Sequence, residues 1–468
     1  MRVLLITSSA RGHAIAAALA RSRHQPQIIH VAQQRNPGIS HLGAEEHLVS
    51  SLTNLEEMAA IAERSSPDFA VIGPEDPIAA GTADLLENMG IPTIAPRQAL
   101  ARLESSKGFA RHLLQKHRIN VSPRFRVFGK GEEKKMNNFI DQECPAGFVV
   151  KYDGLKGGKG VKVQGEHFHT MQEGIDYALQ CIKECGQVVL EERLEGLEFS
   201  LLSFVSGTSV IDMPVVQDHK RAYDGELGPN TGGMGTYTDT NHSLPFLTPA
   251  DLACASTINH RTVEAIHREC SLPYHGILYG GYIVTRTGVK LIEFNVRFGD
   301  PEALNLLSIL SSDFVDICQA IITGELTQEM VRFDRKATVC KYIVPEGYPE
   351  NRDQKGERIS LPPLAFSHPL PFKGEGTGEG SPKNFRIYFG DVSEDPDGTL
   401  RLGSSRAVGI VGIGNTIEEA EHIAQHLSEQ VKGPVRFRAD IGTSASLQKR
   451  IALTQRLCSP SCMSFMPM

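Results

Sequence analysis

Met1-Arg-Val-Leu-Leu-Ile-Thr-Ser-Ser-Ala-Arg-Gly-His-Ala14 decides the fold class. The apolar run Val3 to Ile6 is too short for the hydrophobic region of a signal peptide and suits a first buried strand. Thr7, Ser8 and Ser9 then lead into a helical pattern over Gly12 to Ser22, so a strand feeds a helix. The alternation continues. Pro26 to Ala32, Phe69 to Gly73 and Ile91 to Ala95 are strand-like, and Leu55 to Ser65 carries helix formers. Such alternation predicts a doubly wound α/β domain with a parallel sheet over residues 1–102, binding its ligand at the carboxyl ends of the strands. Absence of GxGxxG, and of an acid near the end of the second strand, removes a dinucleotide reading.

Working outward, a helical stretch from Gln98 to His117 leads into a second unit, expected over 103–335. From Pro123 to Arg193 the order becomes strand, helix, strand, glycine-rich loop, strand, helix, strand, which predicts a small α+β lid subdomain at about 123–193. Its second helix is expected at Thr170 to Cys185 and its last strand at Gln187 to Glu191. A long irregular region, Gln217 to Gly235, is followed by a helix at Pro249 to Cys270. A hairpin-like pair, Tyr279 to Val284 and Lys290 to Phe298, comes next. A mixed α/β C-terminal domain is expected over 336–442, with strands Thr338 to Val344, Phe385 to Val392 and Ala407 to Ile413 and a helix opened by a Thr416/Glu419 capping box. The proline- and glycine-rich stretch at about 363–383 is too poor in apolar residues to order itself, and 443–468 is expected to be a tail.

Composition narrows the function classes. The 468 residues include 48 basic and 55 acidic side chains, a net charge of -7, so no overall basic field exists to hold nucleic acid. No apolar run approaches the ~18 residues of a membrane span. Nine cysteines, unpaired in CxxC motifs, fit reduced thiols and a cytoplasmic location.

The strongest chemical signal is Lys290-Leu-Ile-Glu-Phe-Asn-Val-Arg-Phe-Gly-Asp-Pro-Glu302. In a strand, Glu293, Asn295 and Arg297 share one face, and Ile292, Phe294, Val296 and Phe298 share the other. A carboxylate beside an amide oxygen suits a hard cation such as magnesium that bridges nucleotide phosphates, and the guanidinium can hold a phosphoryl oxygen. An amphipathic edge strand with a solvated polar face is the bland alternative. Phe148-Val-Val-Lys-Tyr-Asp-Gly-Leu-Lys-Gly-Gly-Lys-Gly160 places a glycine-rich loop after a strand, with Lys151 facing the same cleft. Its backbone N–H groups can approach phosphates, although the spacing is not that of a Walker A loop. At Val188 to Glu198, backbone groups of Arg193 and Leu194 could meet an adenine edge and Glu198 ribose hydroxyls. In the 217–235 segment, Lys220 and Arg221 could bind an anion, and Asn230 with Thr231 could donate to a substrate carboxylate. His219 lacks a second ligand at metal-binding spacing. Each of the last three taken alone also reads as an ordinary surface loop or turn.

Together these segments resemble an ATP-grasp ligase, and the chain is most similar to the glycinamide ribonucleotide synthetase (phosphoribosylamine-glycine ligase) family. The similarity runs through GPEDPIAAG (73–81), LESSKGF (103–109), VVKYDGLKGGKGV (149–161), QDHKRAYDGELGPNTGGMG (217–235), IEFNVRFGDPE (292–302) and AVGIVGIGNTIEEAEHIA (407–424). The resemblance implies ATP-dependent joining of glycine to 5-phosphoribosylamine through a glycyl phosphate, in purine synthesis. It implies Lys107, Lys151 and the loop residues Gly157, Gly158 and Lys159 at the ATP phosphates, Glu191 and Leu194 at adenine, and Glu198 at the ribose. Glu293 and Asn295 would hold magnesium or manganese. Arg297, Asp218, Lys220 and Asn230 would act at the reacting groups, with Ser9, Arg11, Glu75, Thr231, Gly232 and Asp300 around the substrates. Partners would be these small molecules alone, with a monomeric enzyme. The family's opening motif, roughly Gly-x-Gly-Gly-Arg-Glu-His-Ala, stands here as Thr7 to Ala14, keeping Arg11, His13 and Ala14. That departure keeps two rivals in view: an ATP-grasp ligase for a different acceptor, and a non-catalytic ATP-binding protein.

Overall fold

The computed structural model describes residues 1–362 and 384–458, so the 363–383 insertion and the last residues of the expected tail lie outside the described residues. Residues 2–94 form the parallel sheet, in the spatial order Glu45–Leu48, Gln27–Ala32, Arg2–Ile6, Phe69–Ile72, Thr93–Ile94. Val3, Leu4, Leu5 and Ile6 are wholly buried, as befits a central strand covered on both faces. The first helix, Ser9–Ala20, starts earlier than its apolar periodicity indicated. Neither Ser8 nor Ser9 caps it in the ordinary way: Ser8 makes no side-chain cap, and Ser9 sits at φ 68° with its hydroxyl directed elsewhere.

The single helical stretch expected at 98–117 is two helices, Gln98–Ser105 and Lys107–Lys116. Ser106 separates them because its side chain accepts the Phe109 N–H at 3.1 Å and opens the second. The lid follows in the expected order and has its own core, including Phe128, Met136, Phe148, Ile175 and Leu190. Thr170 and Glu173 form a reciprocal capping box on its second helix, Met171–Cys185.

Behind the lid stands an antiparallel sheet in the order Ser209–Asp212, Leu197–Gly207, Tyr274–Thr285, Gly288–Asn295. A bulge interrupts its last pair: Glu293 faces Gly281 and Leu291 faces Tyr282, which leaves Ile292 as the extra residue. Inserting one residue reverses the alternation, so Leu291 takes the buried place and Ile292 turns towards the site. The expected core position of Ile292 is corrected accordingly.

The segment 217–235 is not irregular. Gln217–Asp218 pairs with Gly235–Thr238, and Arg221–Tyr223 pairs with Leu227–Asn230 as a projecting hairpin. Its polar composition hid strands whose partners are themselves polar. The pair at its base continues into the C-terminal sheet, Gly235 facing Lys341 and Thr236 facing Cys340, and that sheet runs on through Val408–Gly414 to Phe385–Phe389. Thr416 caps the helix Ile417–Glu429, while Glu419 reaches back to the Asn415 N–H rather than to Thr416. Residues expected as tail include a helix, Ser444–Cys458, whose Leu447, Ile451 and Leu453 pack on the main core.

Candidate active site

The strand Gly288–Asn295 brings Glu293 and Asn295 to one face, with Arg297 just beyond its end. Burial alone raises the affinity of Glu293 for a proton, but Lys220, Lys107, Lys151 and Arg297 surround it and hold its pKa below the usual carboxylate value. The carboxylate is therefore ionised and set among cations, the state in which it can ligate a metal. Among the described residues only His24, Asp313 and Asp316 gather as three potential ligands, and Arg23 and Ser22 already bond those carboxylates. Two oxygen donors at Glu293 and Asn295 fit instead a cation that takes its remaining ligands from water and phosphate, as magnesium does.

The bulge at Ile292 frees a carbonyl that accepts from Lys151 Nζ at 2.8 Å and from Arg111 Nη2 at 2.7 Å. Both cations also grip Glu191: Lys151 Nζ lies 2.8 Å from Oε2, and Arg111 Nε lies 2.7 Å from Oε1. All three side chains are buried. Burial pulls the Lys151 pKa down from the ordinary value against the pull of Glu191, and Lys151 is held rigidly at the floor of the cleft. The Glu191 carboxylate is thus committed to this triad and does not itself present to a base. The Arg193 N–H is likewise taken, by the Gly147 carbonyl at 2.8 Å, because it still belongs to the edge of the lid sheet. The Leu194 N–H has no backbone partner among the described residues. Glu198 lies half in solvent and receives Lys220 Nζ at 2.9 Å.

Above this floor the glycine-rich loop is open. Gly157 and Gly158 adopt φ of 53° and 76°, a left-handed pair that side chains resist, and both are exposed with Lys159. Asp153 anchors the loop's entry by accepting the Gly108 N–H at 3.0 Å and the Ser106 hydroxyl at 3.2 Å. Lys107 Nζ reaches the Gly154 carbonyl at 3.1 Å, so helix and loop meet at one place.

The hairpin side contributes Asp218 and Lys220, which line one cavity with Glu198, Ser200, Tyr279 and Glu293. Burial and the neighbouring Glu302 push the Asp218 pKa well up, whereas Glu198 pushes that of Lys220 further up. Thr231 is not free for a substrate carboxylate: its hydroxyl donates to the Lys220 carbonyl at 2.8 Å and accepts the Gly233 N–H at 3.0 Å. Asn230 faces the lid, 3.5 Å from His167 Nε2. Gly232 lies against the Arg406 guanidinium, which takes the carbonyls of Gly232, Gly233 and Asp300.

A second cluster joins this region to the parallel sheet. Arg297 pairs with Glu75 at 3.0 Å and Glu104 at 2.9 Å, while Arg11 donates to the Phe298 carbonyl at 2.8 Å and lies 3.8 Å from Glu75. Ser9 donates to Asp300 Oδ2 at 2.5 Å, and Tyr342 donates to the other oxygen. Arg11 and Ser9 therefore tie the start of the first helix to residues 298–300, with the buried Arg11 Nε unpartnered among the described residues.

Two family descriptions match the chain: "Phosphoribosylglycinamide synthetase, N domain" over residues 1–104 and "Phosphoribosylglycinamide synthetase, ATP-grasp (A) domain" over residues 105–303. This chain belongs to the phosphoribosylglycinamide synthetase family. A phosphoribosylamine-glycine ligase of Methanosarcina barkeri is 43% identical over 451 residues, covering 96% of this chain and 98% of that protein. One from Methanocaldococcus jannaschii is 42% identical over 457 residues, with 96% and 98% covered. The crystal structure of the Thermotoga maritima phosphoribosylamine-glycine ligase superimposes with a TM-score of 0.75 at 27% identity, covering 94% of this chain and 100% of that one. The biotin carboxylase domain of a Hydrogenobacter thermophilus 2-oxoglutarate carboxylase shares the fold, with a TM-score of 0.68 at 15% identity over 97% and 93% of the two chains.

Four residues that contact the candidate site escaped the sequence reading: Arg111, Glu104, Tyr342 and Arg406. Glu104 and Arg111 lie on or beside the quoted LESSKGF motif, and a charged residue on an otherwise apolar helix face was the available signal. Tyr342 and Arg406 sit far along the chain and become neighbours of Asp300 only through the sheet. Among the described residues, no helix is long and apolar enough to cross a membrane.

Proposed function

We infer that this chain is an ATP-dependent ligase that joins glycine to 5-phosphoribosylamine, yielding glycinamide ribonucleotide, ADP and phosphate for purine synthesis. The observation that carries the reading is the ionised Glu293 beside Asn295, encircled by Lys107, Lys151, Lys220 and Arg297. Within that frame, a glycine carboxylate oxygen attacks the γ-phosphorus, ADP leaves, and glycyl phosphate forms. The amine of phosphoribosylamine then attacks the acyl carbon, phosphate leaves, and the amine gives up a proton. Neither step needs a protein nucleophile. Both need positioning, neutralised charge and exclusion of water.

Lys151 and Lys107 serve the phosphates from the floor and the helix end, and Gly157, Gly158 and Lys159 close over them. Leu194 offers its N–H to the adenine edge, Glu191 acts by fixing Lys151, and Glu198 meets the ribose. Arg297, Asp218, Lys220 and Asn230 surround the reacting groups. Ser9, Arg11, Glu75, Gly232 and Asp300 frame the substrates at the domain junction, where Arg11 carries an unspent donor, and Thr231 contributes by shaping the hairpin. Glu293 and Asn295 would hold magnesium or manganese, which supplies charge neutralisation at the phosphoryl oxygens. We assign residues 1–102 to acceptor binding, 103–335 with the lid at about 123–193 to ATP, and 336–442 to closing the site. Seven described cysteines, all free thiols, support a cytoplasmic enzyme.

Steady-state ADP release tests the reading. Release should require glycine and phosphoribosylamine together. Turnover with another amine, or none with any pair, would overturn it.

A further inference from the structure

The ligation reading gives the C-terminal domain only the general task of closing the site, yet its residues 436–440 form a strap that grips the hairpin 221–230 from behind. Arg438 is fully buried, and it spends its guanidinium on that hairpin and on one neighbour. Nη1 donates to the Arg221 carbonyl at 3.1 Å and Nη2 to Glu226 Oε1 at 3.0 Å, while Nε and Nη2 each bond Asp440 at 2.8 Å. Asp440 in turn accepts the Gly225 N–H at 2.9 Å at the hairpin's turn. Arg436 stacks on the Tyr223 ring at 4.5 Å and donates to the Ala222 carbonyl at 2.6 Å. Arg450, from the helix Ser444–Cys458, adds a bond to Glu226 at 2.8 Å.

The strap itself is anchored. Lys341, with no exposed surface, sends its three protons to Glu421 at 2.7 Å, Gln425 at 2.6 Å and the Ala439 carbonyl at 2.8 Å. A helix, a strand and the 436–440 segment are thereby locked, and the segment carries the lock to the hairpin. At the hairpin's other end, the Lys220 carbonyl receives both the N–H and the hydroxyl of Thr231, so the hairpin backbone and Lys220 move as one piece.

We propose that Arg438, seated by Asp440, is a positioning residue for ligation: it fixes the hairpin that carries Lys220 and Asn230, and so governs use of glycine without touching it. This rests on the ligase reading above. Lys107 and Lys151 take their partners from the glycine-rich loop, Glu191 and the Ile292 carbonyl, none of which the strap contacts. The phosphate contacts of ATP should therefore be spared, and ATP is reached only through the pairing of Lys220 with Glu198 on the ribose side.

Kinetics of Arg438→Lys, Arg438→Met and Glu226→Gln in the full-length enzyme, varying glycine and ATP separately, test the proposal. Glu226 is half-exposed and Arg438 keeps Asp440 when it is replaced, so the amide variant weakens the clamp without orphaning Arg438, and it carries the test where Arg438→Met does not fold. The expected result is a rise of about tenfold in the KM for glycine, largest in Arg438→Met and smaller in Arg438→Lys, with a clearly smaller rise in the KM for ATP. Unchanged glycine kinetics in Glu226→Gln and Arg438→Lys, or equal losses for glycine and ATP, would overturn it. Lack of glycine-dependent turnover in the wild-type enzyme would instead overturn the ligase reading.

Discussion

Arg297 donates from Nε to Glu75 Oε2 at 3.0 Å, and this contact ties the end of the strand that carries Glu293 and Asn295 to the helix Glu75–Ala80 of the parallel-sheet domain. Glu104 meets the same guanidinium at 2.9 Å and accepts the Val296 N–H at 2.8 Å with its other oxygen. Two carboxylates thus share one arginine, and they differ in environment. Arg297 holds Glu75 down to about 2, whereas burial pushes Glu104 up to about 7 despite Arg297.

That difference gives a pH dependence. A carboxyl whose folded pKa is raised contributes stability that is fully present below its unfolded value of 4.5 and is lost as pH rises through about 7. Glu104→Gln should flatten the fall in thermal stability across this window, a change worth about 3 kcal/mol in the buried limit. An identical pH profile for variant and wild type, by thermal melts, would show that Glu104 does not titrate there.

Glu293→Ala should abolish metal-supported ADP formation and leave the melting temperature close to that of the wild type, because Phe294 and Leu291 keep the core face of the strand. Measured wild-type activity in this variant would remove Glu293 from the metal site.

Lys151→Met removes one of the two cations on Glu191 but leaves Arg111 bonded to both its oxygens. Stability should fall by about 1–3 kcal/mol, less than for a fully orphaned buried charge. On the proposed role of Lys151 at the ATP phosphates, the KM for ATP should rise or kcat fall. Calorimetry with ATP titration reads both effects.

Arg11→Ala should weaken use of phosphoribosylamine by about 1.5–3 kcal/mol, the worth of a charge-assisted bond, or tenfold and more in apparent affinity. It also deprives the Phe298 carbonyl of a donor, so a modest drop in melting temperature accompanies it. The KM for ATP should stay constant. Parallel changes for both substrates would mean that only the fold had suffered.

Periodicity made the parallel sheet and the lid legible, since the apolar run Val3 to Ile6 and the helical pattern from Thr170 to Cys185 are local signals. The alternation of Glu293, Asn295 and Arg297 was legible for the same reason. What stayed hidden depended on partners distant in the chain. The bulge beside Gly281 displaced Ile292, the strand at 235–238 pairs with 338–341 a hundred residues on and 217–218 pairs with it in turn, and the Glu191 carboxylate was claimed by Arg111 eighty residues earlier. No window of sequence contains those pairings.

The carbonyl released at Ile292 has a consequence for divergence. Two cations depend on that oxygen, and neither depends on the side chain attached to it. At position 292 the side chain answers only to the cavity it lines, so unlike side chains there would still conceal one invariant chemical group in the backbone. Substitutions that straighten the strand are the ones selection should remove, including those at Gly281 and Tyr282, which share no chemistry with ATP.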